Sequence, residues 1–300
     1  MEVDMFHGVI TALVTPFGNG KIDEDAFRAH LDRQIEAGVD AVVPAGTTGE
    51  SATLSHEEHK ELIRIAVEHV HGRVPVIAGA GSNSTTETIE LTQAAKDAGA
   101  DAALLISPYY NKPTQEGIYQ HYRAVADAVH IPIVLYNVPG RTASNMLPET
   151  VGRLSRIANI VGIKDATADM AQLVRTMNAC DGRLEFYSGD DATVMPFMAL
   201  GGAGVISVVA NIAPQAMIRL VRAMRGNDIA SARQEQLSMQ ELNDGLFMQS
   251  NPIPIKAACA MMGWMSWDIR LPLTVLPEEG RARLFTILET FGLEPERADP

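Results

Sequence analysis

Ile160-Val161-Gly162-Ile163-Lys164-Asp165-Ala166-Thr167 reads as a buried strand that ends on a lysine. Ile160, Val161 and Ile163 are β-formers, and Gly162 permits close backbone approach. Lys164 stands where the strand gives way to polar residues. Burial disfavours the charged form of an amine, and a neutral amine is a nucleophile that forms a Schiff base with a carbonyl substrate. The bland alternative is a strand-end lysine that reaches water or pairs with Asp165. The rest of the chain has to decide between the two.

Similar short apolar runs recur on both sides of that strand. They are 8–17, 40–44, 74–78, 102–107, 131–137, 184–188 and 204–209, rich in Val, Ile and Ala. Helix-period segments lie between most of them. Asp23-Glu24-Asp25 opens one, with Gly38 just past its end. Ser55 with Glu58 three residues on forms a capping box. Asn83-Ser84 opens a third that closes at Gly99, and Thr114 a fourth carrying Tyr119, Tyr122 and Val125. Continuous apolar strands alternating with amphipathic helices indicate parallel β/α units. About eight units spaced by roughly 20 to 35 residues predict a (β/α)8 TIM barrel. A doubly wound open sheet is the rival, but Pro16-Phe17-Gly18-Asn19-Gly20-Lys21 lacks the full phosphate-loop pattern. From Gly226 the strand signal stops. Asp228 to Met248 reads as helical with Ala232, Leu237, Leu242 and Leu246 as apolar punctuation; Asn251-Pro252-Ile253-Pro254 reads as a break. Ile255 to Met262 and Pro277 to Phe291 read as helices. The expected division is a barrel catalytic domain over 1–225 and a small C-terminal helical domain over 226–300.

Composition narrows the function. The net charge of -13 over 300 residues argues against nucleic acid and anionic membrane surfaces as partners. Cys180 and Cys259 match no metal spacing and read as free thiols in a reducing compartment. The first residues, Met1-Glu2-Val3-Asp4-Met5, lack signal-peptide character, and no apolar run is long enough to span a bilayer. A cytoplasmic location is expected.

Barrel active sites lie at the C-terminal ends of the strands. Those ends carry Gly46-Thr47-Thr48-Gly49-Glu50, Pro108-Tyr109-Tyr110-Asn111-Lys112-Pro113, Tyr136-Asn137-Val138-Pro139-Gly140-Arg141-Thr142, Lys164, Gly189-Asp190 and the run from Ile206 to Asn211. Tyr136 and Tyr110 have phenols able to shuttle protons, and the Thr47 hydroxyl could link them. Arg141 offers a planar fork for a carboxylate, and the Thr47 and Thr48 N–H groups sit in a glycine-flanked turn suited to an anion. A 2-oxo acid fits: its ketone meets Lys164 and its carboxylate meets the donors.

The Thr47-Thr48 turn, the Tyr136 to Thr142 stretch and the Gly162 to Thr167 stretch together resemble the pyruvate-dependent class I aldolase superfamily. Within it they look most like the dihydrodipicolinate synthase family. The resemblance extends to Asn251-Pro252-Ile253-Pro254-Ile255-Lys256 and Arg270-Leu271-Pro272-Leu273. It implies that Lys164 forms a Schiff base with pyruvate, whose enamine attacks aspartate-β-semialdehyde, with no metal or organic cofactor. It implies a relay of Thr47, Tyr136 and Tyr110, with Tyr110 supplied by a neighbouring subunit of a homotetramer built as a dimer of dimers. Arg141 then receives the semialdehyde carboxylate, Thr48 and Ile206 line the pyruvate pocket, and the Gly189 carbonyl lines the site. Gly140 stands where a serine is common and Asp165 where a glutamate is common; neither is a reacting group. Ser51, Ala52, His56, His59, Asn83, Glu87 and Tyr109 match the family's allosteric site for L-lysine, its feedback inhibitor. Read without the resemblance, His56 and His59 are two histidines at a helix start, and His56-Glu57-Glu58-His59 lacks the zinc-protease spacing. Two other functions stand beside this one. One is another pyruvate lyase acting on N-acetylneuraminate or a 2-keto-3-deoxy sugar acid, and the other is a non-catalytic amino-acid-binding barrel.

Overall fold

The computed structural model describes residues 6–296. Eight parallel strands follow one another as β1 (Gly8–Ala12), β2 (Ala41–Val43), β3 (Ile77–Gly79), β4 (Ala102–Ile106), β5 (Ile133–Asn137), β6 (Ile160–Asp165), β7 (Glu185–Ser188) and β8 (Gly204–Ser207). Apart from β2 and β3, each pairs with its sequence neighbour, and β8 pairs with β1. The remaining seam between β2 and β3 is closed by the Val42–Val76 bridge and by Gly79 N–H donating to the Pro44 carbonyl at 3.0 Å. The expected TIM barrel is therefore the fold. Helices α1 (Glu24–Ala37), α2 (His56–Val70), α3 (Thr85–Ala98), α4 (Gln115–Ala128), α5 (Pro148–Leu154), α6 (Met170–Cys180), α7 (Val194–Ala199) and α8 (Pro214–Arg225) surround it.

The helix starts follow the side chains that cap them. Asp23, Ser84 and Thr114 each accept an N–H from the first turn of α1, α3 and α4, and Ser55 and Glu58 form both bonds of the capping box on α2. Along the strands, alternate residues turn inward. Ile10, Ala12, Ala41, Val43, Ala102, Leu104, Val134 and Tyr136 fill the barrel, while Val9, Val42 and Leu105 pack under helices.

The strand β6 breaks this alternation. Ile133 pairs with Ile160 but Val134 pairs with Gly162, so Val161 is an extra, bulged residue. The bulge puts Lys164 in register with Tyr136, and both then face the barrel interior. Gly162 makes this possible: a Cβ there would lie 2.9 Å from the Tyr187 ring. The strand pattern alone did not reveal the bulge.

Beyond α8 the structure departs from two sequence expectations. The helical segment from 228 to 248 is two helices, α9 (Ile229–Ser238) and α10 (Gln240–Leu246). They serve different surfaces. Gln236 on α9 donates to the Asp191 carbonyl and accepts from Met195 N–H on the barrel, whereas Gly245 on α10 packs against Ile287. Leu237, read as apolar punctuation, is 68% exposed. The second departure is at the proline pair: α11 (Ile253–Met261) starts before the expected Ile255, because Pro254 falls in the first turn, where no N–H is needed. All nine residues of α11 are buried. With α12 (Glu278–Phe291) it joins the same apolar core that underlies β1, β2 and their helices. No helix among the described residues is long and apolar enough to cross a membrane.

Candidate active site

The strand ends converge on one cavity of about 570 Å³. Its lining includes Thr47 and Thr48 after β2, Tyr136 on β5, Arg141 beyond it and Lys164 on β6. Lys164 is 5% exposed, and its Nζ lies 4.4 Å from the centroid of the Tyr136 ring. The adjacent Asp165 is occupied otherwise: it accepts the Thr167 N–H at 2.8 Å and the Thr167 hydroxyl at 2.6 Å. Successive strand residues point to opposite faces, so a Lys164–Asp165 ion pair does not form. Burial raises the Asp165 carboxyl above its ordinary value. Gly189 gives the Lys164 stem its room. A Cβ at 189 would lie 3.0 Å from Lys164 Cε and 2.7 Å from Ala166 Cβ.

The turn after β2 leaves two N–H groups without an acceptor. Gly49 N–H and Ser51 N–H both donate to the Gly46 carbonyl, and Glu50 N–H donates to the Thr47 carbonyl. Among the described residues, the Thr47 and Thr48 N–H groups donate to nothing. Thr48 is buried, and its hydroxyl accepts the Asn251 side-chain amide at 3.0 Å. Thr47 and Tyr136 line the same cavity without a hydrogen bond between their hydroxyls among the described residues.

Arg141 sits in a four-residue helix, Pro139–Thr142, and donates from Nη2 to the Asn251 carbonyl at 3.1 Å. It also borders an outer recess with Tyr109, Tyr110 and Lys112. Tyr110 is not brought to Lys164 in its own chain. It is 87% exposed, with a left-handed φ of 72°. Ile206 packs with Tyr136 and Val161 in the cluster that fills the barrel.

The candidate effector residues adjoin the same cavity. Ser51, Ala52, His56, His59, Glu87 and Tyr109 are among its lining residues. His56 Nε2 meets Glu87 Oε1 at 2.6 Å, and the Ser82 hydroxyl donates to the other Glu87 oxygen. The Ser82 bond, together with His56, holds the Glu87 carboxyl below its ordinary value against the opposing effect of burial. His59 does not share the exposed face of His56. It is buried, donates from Nε2 to the Gly79 carbonyl at 2.6 Å, and burial pushes its pKa down. Asn83 donates to the Tyr109 carbonyl at 3.1 Å. No group of three His, Cys, Asp or Glu able to hold a metal ion occurs among the described residues.

Four participants escaped the sequence reading as site residues: Glu50, Ser82, Asn251 and Lys256. Ser82 bonds Glu87 five residues on, and a lone serine in a turn carries no signal; Thr48 with Asn251 and Glu50 with Lys256 are each separated by about two hundred residues. No local signal spans that distance.

Residues 5–291 match the Dihydrodipicolinate synthetase family. A curated 4-hydroxy-tetrahydrodipicolinate synthase of Nitratidesulfovibrio vulgaris is 51% identical over 289 residues, 96% of this chain and 99% of the relative. The crystal structure of the chloride-inhibited dihydrodipicolinate synthase from Acinetobacter baumannii, complexed with pyruvate, superposes with a TM-score of 0.95 at 47% identity, covering 97% of this chain and 100% of that one. The Cyanidioschyzon merolae enzyme, solved with lysine bound, gives 0.94 at 40% identity over 96% of this chain and 99% of that one. A likeness that spans nearly the whole chain in sequence as well as in fold leaves one conclusion: the chain belongs to the Dihydrodipicolinate synthetase family.

Proposed function

We propose that the chain condenses pyruvate with L-aspartate-β-semialdehyde to give 4-hydroxy-tetrahydrodipicolinate, the first committed step of lysine synthesis through diaminopimelate. One observation carries this reading: a buried amine on Lys164, beside the Tyr136 phenol, shares a cavity with the two unused N–H donors of Thr47 and Thr48. The amine adds to the ketone of pyruvate and water leaves, giving a Schiff base; the carboxylate rests on the Thr47–Thr48 turn. Loss of a methyl proton gives the enamine, which attacks the aldehyde carbon of the second substrate. Its amino group then closes the ring on the former ketone carbon and releases Lys164. Tyr136, Thr47 and a Tyr110 from a neighbouring subunit carry the protons, and Arg141 takes the semialdehyde carboxylate. Gly189 clears the lysine stem, while Thr48 and Ile206 shape the pyruvate pocket. The iminium is itself the electron sink, so this chemistry asks for no cofactor.

The exposure of Tyr110 supports an assembly in which it is covered by a partner, and we assign a homotetramer built as a dimer of dimers. L-lysine is the proposed effector at Ser51, Ala52, His56, His59, Asn83, Glu87 and Tyr109; the lysine-bound relative supports this. In this reading the chain divides into a catalytic barrel domain assigned to 1–225 and a helical domain assigned to 226–300. Two free, buried cysteines suit the cytoplasm. Borohydride in the presence of pyruvate tests the central claim. A stable three-carbon adduct is expected on the peptide containing Lys164, and Lys164→Arg should form none. An adduct on Lys112 or Lys256 would overturn the assignment. Equal or better turnover with N-acetylmannosamine or glyceraldehyde as acceptor would favour a sugar-acid lyase instead.

A further inference from the structure

The most deeply buried ion pair lies beside the chemistry rather than in it. Lys256 Nζ on α11 meets Glu50 Oε1 at 2.6 Å, with the two side chains 3% and 0% exposed. The second oxygen of Glu50 accepts the backbone N–H of Arg270 at 3.0 Å. Lys256 also lies over the Phe17 ring, 4.3 Å from its centroid. Burying two charges is a weak source of stability, because desolvation offsets most of the attraction. Burial indeed pushes the Lys256 amine below its ordinary value, and Glu50 pulls it back. Stability alone therefore does not account for the pair.

Its position does. Glu50 closes the turn that displays the Thr47 and Thr48 N–H groups, and its own φ is 56°, in the left-handed region. A residue with a side chain adopts that conformation at a cost and needs outside support. The turn gets it at three points. The Thr15 hydroxyl donates to the Gly49 carbonyl at 2.7 Å, Asn251 holds the Thr48 hydroxyl, and Lys256 with Arg270 grips Glu50. Two of the three supports come from residues 251–270, beyond the barrel.

We propose that Glu50 is a positioning residue for the pyruvate carboxylate: gripped by Lys256 and Arg270, it holds the Thr47–Thr48 turn at the height where both N–H groups meet the substrate. The proposal rests on the pyruvate reading above. It makes the C-terminal helices a working part of the site.

The test measures the pyruvate concentration that half-saturates borohydride trapping, alongside the melting temperature. Glu50→Asp keeps the charge but withdraws the carboxylate by one methylene. The double variant Glu50→Gln/Lys256→Met leaves no unpaired charge in the core, so it should melt above Glu50→Gln alone. In both Glu50→Asp and the double variant we expect half-saturation to rise about tenfold or more, since small misplacements of a binding group cost that much. Half-saturation within about twofold of wild type in these variants, or recovered together with the melting temperature in the double variant, overturns the proposal. If only one of the two folds, that one decides; if neither folds, the pair is a folding element and the proposal falls. Wild type that forms no pyruvate adduct would instead overturn the reading of the reaction.

Discussion

Arg141 combines a structural bond with its proposed role in binding the second substrate. One of its nitrogens is spent on the Asn251 carbonyl, and the rest of the fork borders both the main cavity and the outer recess. Arg141→Ala should leave the pyruvate adduct intact and lower kcat/KM for the semialdehyde. Loss of a charge-assisted contact costs about 1.5–3 kcal/mol, or roughly 10- to 150-fold. Steady-state kinetics with near-normal efficiency would return Arg141 to the status of a loop charge. Glu87 is the corresponding residue of the effector reading. Its carboxylate, already organised by Ser82 and His56, suits an ammonium group. Glu87→Thr should abolish most inhibition by L-lysine while uninhibited turnover stays close to wild type. Calorimetric titration checks this, and unchanged lysine binding in the variant would remove the effector claim while leaving the catalytic one standing.

At the scale of elements, the start of α2 is tied to the C-terminal segment. Glu58 closes the capping box with Ser55 N–H at 2.9 Å and accepts both guanidinium nitrogens of Arg270, at 2.6 and 2.7 Å. The Arg270 bonds pull the Glu58 carboxyl from 4.5 to about 2. A carboxylate with a lowered pKa contributes stability above its unfolded value and loses it as pH falls. The contribution of Glu58 is therefore full above pH 4.5 and disappears as pH approaches about 2. Urea unfolding of wild type and Glu58→Gln should differ most at pH 6 and converge as pH is lowered from about 4.5. A gap that is constant with pH would mean that the Arg270 bonds do not bind the charged form selectively. This element also explains the reach of the C-terminal helices: Arg270 grips Glu58 with its side chain and Glu50 with its backbone.

At the scale of the whole molecule, the proposed relay needs a second chain. Tyr110 projects at 87% exposure while its proposed relay partners Tyr136 and Thr47 line the cavity of the same chain. If a neighbour's Tyr110 completes each site, two inactive variants should rescue one another. Tyr110→Phe and Lys164→Arg chains, mixed by unfolding and refolding together, should give hybrids in which some sites hold both an intact Lys164 and an intact Tyr110. Activity above the sum of the separately refolded variants is the expected result. Strict additivity would place the relay within one chain. Coupling of the effector region to the reaction also belongs to this scale, because Asn83 holds the Tyr109 carbonyl next to Tyr110. In the proposed effector mechanism, a ligand that reorders Asn83 or Tyr109 would change what Tyr110 can reach.

The sequence by itself determined the barrel, the strand ends and the reactive types placed on them. These are local properties: β-branched runs, capping residues such as Asp23 and Ser55, and a lysine at the end of an apolar strand all act within a few residues. Three features were decided only in the folded chain. The bulge at Val161 sets the register that turns Lys164 toward Tyr136, and register depends on the neighbouring strand. The split between α9 and α10 depends on which surfaces each helix docks against. The grip of Lys256 and Asn251 on the Thr47–Thr48 turn joins residues more than two hundred positions apart. Hydrogen bonds and ion pairs are governed by distance in space, and only the closed barrel with its C-terminal helices brings these partners to bonding distance.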